Sequence, residues 1–183
     1  AASDVYKRQQ VDHDNVGACK ELVTVLFAKG IQNIAYLGSN MDQMVNRCRY
    51  QGYEEAYRKG KRKLNQDLVY TDLSSRAMVE KAVEELKNSG VECILCQDDY
   101  ICDEVVRKLA RMGVRIPDQM KVASCHYSRI LENYPITITS LKFNITELGR
   151  RSCQVLLDMI HGKTVPDKTL LDYEIILKES TKG

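Results

Sequence analysis

Residues 93–125 read CILCQDDYICDEVVRKLARMGVRIPDQMKVASC, and this stretch decides the fold class. Cys93-Ile94-Leu95-Cys96 is an apolar run of strand length. Asp99 to Met112 reads as a helix with Gly113 after its end, the position where a helix commonly closes. Ile116-Pro117-Asp118 marks a turn, and Lys121 to Cys125 returns as a strand. A strand, a helix and a second strand need a crossover connection, which makes the two strands parallel.

The same rhythm extends outward on both sides. Upstream, Asn15 to Lys29 carries a helical stripe of Val16, Cys19, Leu22, Val23, Leu26 and Phe27, closed by Gly30. Residues 33–37 form a strand ending at Gly38, Val45 to Lys59 a helix closed by Gly60, and Leu68 to Tyr70 another strand. Ser74 or Ser75 caps a helix that runs through Met78, Val79, Ala82, Val83 and Leu86 to Gly90. Downstream, residues 138–141 are extended, Thr146 to Ile160 is helical, and Leu170 to Leu177 is a last strand. The pattern predicts an α/β fold with a doubly wound, mainly parallel sheet. Ligands in such sheets sit beyond the carboxyl ends of the strands, here after Leu37, at Asp72-Leu73, at Gln97–Asp99 and at Cys125–Tyr127. Residues 1–10 fit no element, and a chain whose first element is a helix is expected to belong to something longer.

Composition sets outer limits. A hydrophobic share of 44% over 183 residues supports a packed core and excludes a disordered tail. A net charge of +2 supplies no electrostatic footprint for a nucleic-acid groove. No apolar run approaches the roughly 20 residues that span a bilayer, so no membrane partner is expected. The seven cysteines, an odd number spread along the chain, read as reduced thiols of a cytoplasmic protein.

The chemistry-bearing residues are sparse. Cys93 and Cys96 lie three apart on a strand, so their sulfurs point to opposite faces and cannot converge on one metal ion. Of Asp98 and Asp99, one is expected to cap the following helix and the other to face the ligand. Cys125-His126 is only half of a nucleophile–base couple, because adjacent residues rarely present side chains to each other. Gly38-Ser39-Asn40 lacks the spacing of a phosphate loop. Arg49 could hold a hydroxyl pair or a carboxylate with its planar fork, or sit solvated on the surface. Tyr50, Tyr53 and Tyr57 at helical spacing suit packing. No catalytic residue, metal site or cofactor is expected, and the paucity of chemistry favours a binding protein over an enzyme.

Several segments in one register resemble the LacI/GalR family of bacterial transcriptional regulators. Asp12-His13-Asp14-Asn15 is similar to the family's V-D-x-D-N stretch, and residues 29–38 to its L-G-H-x-x-I-A-x-I-G. Arg49-Tyr50-Gln51-Gly52-Tyr53 resembles R-x-x-G-[FY], Gln97-Asp98-Asp99 resembles A-N-D, and residues 113–118 resemble G-x-x-[IV]-P-x-D. Ile138 to Leu141 and the Glu147-Leu148-Gly149-Arg150-Arg151 helix complete the series. The I-P-x-D turn and the latter helix favour a regulator over the alternative, a transporter's solute-binding component with the same fold.

The resemblance implies a periplasmic-binding-protein type I-like core, a small-molecule effector such as a sugar in an interlobe cleft, and a homodimer. It also implies operator DNA bound through an N-terminal helix-turn-helix head absent from this chain. It puts residues 31–137 and 170–180 in an essentially whole C-terminal lobe, and 11–30 and 138–166 in a partial N-terminal lobe. Among the effector contacts it implies, Arg49 stands at the family's hydroxyl-clamping arginine and Asp98 at its asparagine. Leu73 stands at an aromatic stacking position and His126 at a usual acid. Leu73 removes the ring, and an imidazole both donates and accepts where a carboxylate only accepts, which argues against a simple hexose.

Overall fold

The computed structural model describes residues 9–182. It divides into two compact units, one of residues 15–142 and 174–183, the other of residues up to Asp14 together with Phe143–Tyr173.

The larger unit is built on a six-stranded sheet. Its strands are β2 (Ile34–Leu37), β3 (Val69–Tyr70), β4 (Cys93–Cys96), β5 (Lys121–Ser124), β6 (Thr139–Phe143) and β8 (Tyr173–Ile176). They lie in the order β3-β2-β4-β5-β6-β8, and the pairs from β3 through β6 are parallel. The crossovers are α2 (Met44–Lys59), α3 (Arg76–Leu86) and α4 (Asp99–Arg111), with α1 (Asn15–Ala28) leading in.

Alternation along the strands sorts the core into two layers. Ala35, Leu37, Ile94, Cys96 and Val122 cluster with Val79, Val83 and Leu86 of α3 and Val105 and Leu109 of α4. Tyr36 turns the other way, and its ring lies 5.2 Å from that of Tyr53 on α2. Tyr53 donates to the Ile34 carbonyl at 2.8 Å, so the tyrosine row packs as expected and satisfies its hydroxyl. Cys93 and Cys96 are both fully buried, and only Cys96 belongs to the α3/α4 layer, so the two sulfurs do not converge.

Helix α1 lies against α2 so closely that a Cβ on Gly52 would come 2.4 Å from the Val16 carbonyl. That contact explains the glycine of the R-x-x-G-[FY] segment, which no turn requires. The caps follow the sequence. Ser75 accepts from the Met78 amide, and Gly113 takes the left-handed conformation after α4, at φ 67°. Gly60 does not; Lys61 adopts the positive φ after α2.

The smaller unit holds β1 (Gln10–His13), α5 (Ile145–Ile160) and β7 (Lys168–Leu171), with β1 and β7 paired in parallel. Three expectations change here. A strand does precede the first helix, and it is half-buried rather than apolar, so periodicity missed it. The single strand expected over 170–177 is two, β7 and β8, in different sheets, parted at Asp172. The remaining difference concerns residues 15–30 and 138–142, which pack with the larger unit, whereas β7 packs with the smaller one. Residues 1–8 of the unassigned segment lie outside the described residues.

Candidate effector-binding site

The parallel register levels the carboxyl ends of four strands. Leu37 lies opposite Tyr70 and Cys96, and Cys96 lies opposite Ser124. The loops at Gly38–Asn40, Asp72-Leu73, Gln97-Asp98 and Cys125-His126 therefore leave from one edge. The chain runs outward from β2 to β3 and then returns across β2 to start β4. Successive crossovers there leave on opposite faces, and the diverging loops open a crevice.

Gln97 ties this point together. Its amide N–H donates to the Leu37 carbonyl at 2.8 Å, and its Oε1 accepts from the Ser39 amide at 3.2 Å and from the Tyr36 hydroxyl at 3.4 Å. The side chain is fully buried, yet its Nε2 has no hydrogen-bond partner among the described residues. Gly38 makes room for it, since a Cβ there would sit 2.5 Å from Gln97 Oε1. Asn46 fastens the loop after β2 from the side, donating at 3.0 Å to the carbonyls of both Ser39 and Asn40.

Arg49, on the first turns of α2, is 8% exposed rather than solvated. Its Nη1 donates to the Gln97 carbonyl at 2.9 Å and its Nε to Asn15 Oδ1 at 3.3 Å. The guanidinium is thus anchored to α1 and to the loop after β4, and its plane is fixed before any ligand arrives.

One aspartate caps α4 as expected, but the other turns to a side chain of this protein rather than outward to a ligand. Asp98 caps α4, its Oδ1 accepting from the Ile101 amide at 2.9 Å. Asp99 turns to His126, with Nδ1 and Oδ1 3.1 Å apart. Burial alone would raise the Asp99 carboxyl, but hydrogen bonds from His126 and Ser128 and the imidazole's charge outweigh it and bring the pKa down to about 2. Asp99 thus stays ionised and orients the ring. Ser124, fully buried, donates to the His126 carbonyl at 2.7 Å, which fixes the loop backbone.

Arg49 and Asp98 therefore meet around Gln97, and His126 joins them through the Asp99 next door. Leu73 does not join them. Its amide donates to the Gly38 carbonyl at 3.0 Å, but its side chain is 6% exposed and packs in the α3/α4 core layer. Sequence reasoning missed the structural roles of Asn15, Asn46 and Gln97. The first stands in the V-D-x-D-N segment and the last replaces an alanine of A-N-D, so both left a signal; Asn46 left none. Among the described residues no group of three or more His, Cys, Asp or Glu side chains could hold a metal ion, and no helix is long and apolar enough to cross a membrane.

Residues 23–181 match the model of the periplasmic binding protein-like domain. The chain belongs to that family. Within the family its likeness is to LacI/GalR-type regulators. It is 27% identical over 173 residues to the HTH-type transcriptional regulator CelR of Thermobifida fusca, a match covering 93% of this chain and 51% of that protein. It spans about half the length of the curated relatives it matches. A solved CelR–cellobiose complex superposes with a TM-score of 0.84 at 25% identity, over 95% of this chain and 54% of that one. The transcription regulator CcpA of Lactococcus lactis shares the fold, with a TM-score of 0.83 at 24% identity over 94% of this chain and 64% of that one.

Proposed function

We propose that this family member is the effector-sensing core of a LacI/GalR-type transcriptional regulator. A small polar metabolite binds at the carboxyl edge of the larger unit's sheet and controls operator binding by a helix-turn-helix head. The observation that carries the reading is the fixed guanidinium of Arg49 beside the Gln97-Asp98 loop, with His126 held by Asp99 on the neighbouring strand end. Arg49 supplies a planar fork to vicinal hydroxyls or a carboxylate, and Asp98 accepts through the oxygen that does not cap α4. His126 adds an imidazole whose orientation is set. Leu73 contributes at most a strip of apolar wall.

In this reading the protein is a cytoplasmic homodimer without enzymatic activity. The regulator is favoured over a transport component because the curated relatives carry regulator names.

Titration calorimetry of the full-length protein tests the site, with cellobiose, monosaccharides and a sugar acid as probes. For whichever probe binds, Arg49→Ala should weaken binding by about 1.5–3 kcal/mol, the loss of a charged hydrogen bond. An isotherm unchanged by that substitution sinks the assignment of Arg49.

A further inference from the structure

Beneath the site two thiols meet. Cys19, in the first half of α1, and Cys125, at the exit of β5, lie 106 residues apart in sequence, yet their Sγ atoms are 3.6 Å apart and both side chains are fully buried. A disulfide has a sulfur–sulfur distance of about 2.05 Å, so closing the gap takes a shift of about 1.5 Å.

We propose that Cys19 and Cys125 form a reversible disulfide, made by a small neutral peroxide, that ties α1 to the loop carrying His126. The surroundings select both the pair and the oxidant. Burial first, and then the Cys125 thiol, raise the Cys19 thiol well above its ordinary value, while the Arg49 cation pulls the other way. Cys19 is therefore a thiol at neutral pH, and burial closes both sulfurs to bulky or charged thiol reagents, with a guanidinium near enough to favour the Cys19 thiolate once it forms. Cys96 and Cys102 also meet, but there burial is joined by the negative charge of Asp98, which opposes the thiolate.

The chemistry balances with one peroxide. A thiolate attacks a peroxide oxygen, the O–O bond breaks, and the departing hydroxide takes the thiol proton as water, leaving a sulfenic acid. The second sulfur attacks the first, the S–S bond forms, the S–O bond breaks, and a second water leaves with the remaining proton. Two thiols are oxidised and one peroxide is reduced to two waters; thiol–disulfide exchange with a small thiol reverses the step. Because Cys125 adjoins His126 and Cys19 lies on the helix whose Asn15 holds Arg49, the bond would link the site's two sides through the protein interior.

Peptide mapping decides the matter without reference to any effector. The reduced full-length protein is treated with hydrogen peroxide, alkylated under denaturing conditions and digested with trypsin. The expected product joins residues 9–20 to residues 122–129 at a mass about 2 Da below the sum of the two thiol peptides. It should vanish on treatment with dithiothreitol and be absent from Cys19→Ala and Cys125→Ala, but persist in Cys153→Ser. Recovery of both peptides in alkylated form while other cysteines oxidise would overturn the proposal, as would a Cys96–Cys102 bond formed first. The wild-type map is decisive even if a variant fails to fold.

Discussion

Helices α4 and α5 are alike in their N-caps and amphipathic pattern and opposite in their surroundings. Each begins at an acid or amide cap, Asp98 accepting from the Ile101 amide and Asn144 from the Glu147 amide at 2.9 Å. Each is strongly amphipathic. Yet α4 buries Asp99, Ile101, Cys102, Val105, Val106 and Leu109, whereas α5 buries only Val155 and leaves Ile145 63% and Ile160 69% exposed. The contrast separates two things that sequence patterns merge. Periodicity and capping specify that a helix forms; the layer built beside it decides whether its apolar face contributes stability.

The sharpest way to break the contrast is truncation on each helix. In the 183-residue chain, Leu109→Ala should cost about 2–5 kcal/mol, read as a lower urea midpoint by circular dichroism, because it empties a fully packed position. Leu156→Ala should stay within about 0.5 kcal/mol. An equal loss for both would mean that α5 is covered in solution, and sedimentation would then show association.

A smaller effect sits at the first turn of α4. Asp99 has a folded pKa of about 2, depressed from about 3.9 in an unfolded chain, so its contribution is present above that unfolded value and is lost as pH falls from about 4 toward 2. The linkage is worth about 2–3 kcal/mol at most. Asp99→Asn should flatten the pH dependence of stability across that window, and an unchanged slope would detach Asp99 from His126. Smallest are the caps. Asp98→Ala and Asn144→Ala should each cost about 1 kcal/mol, with the former felt in the global unfolding of the larger unit and the latter only in the helicity of α5.

Much of the larger unit was legible because its strands are short apolar runs punctuated by glycine and turn residues. The span of β4 is as read, and the helices differ by about a residue at an end, except α3, which stops at Leu86 well short of Gly90. Legibility failed where an element has no apolar face packed into a core. Strand β1 carries half-buried Gln10, Val11 and Asp12, and its partner β7 alternates exposed and half-buried residues. Neither has a core face to betray it. The site shows the same division. Arg49, Asp98 and His126 were identified as residues, but their bonding could not be. Leu73, marked by its position after a strand, turned inward because a branched apolar side chain gains more from the α3/α4 layer than from water.

By itself the sequence determined the α/β class, the parallel sheet, the strand-end loops from which a ligand site is built, and the family resemblance. Each of these depends on the spacing of apolar, glycine and capping residues along the chain. Only the tertiary structure decided that Asp98 caps while Asp99 orients His126, that Gln97 rather than a charged residue joins the loops, and that Cys19 meets Cys125. Those outcomes depend on distances between residues far apart in the chain, set by strand register and by the close approach of α1 and α2 at Gly52, which no local pattern encodes.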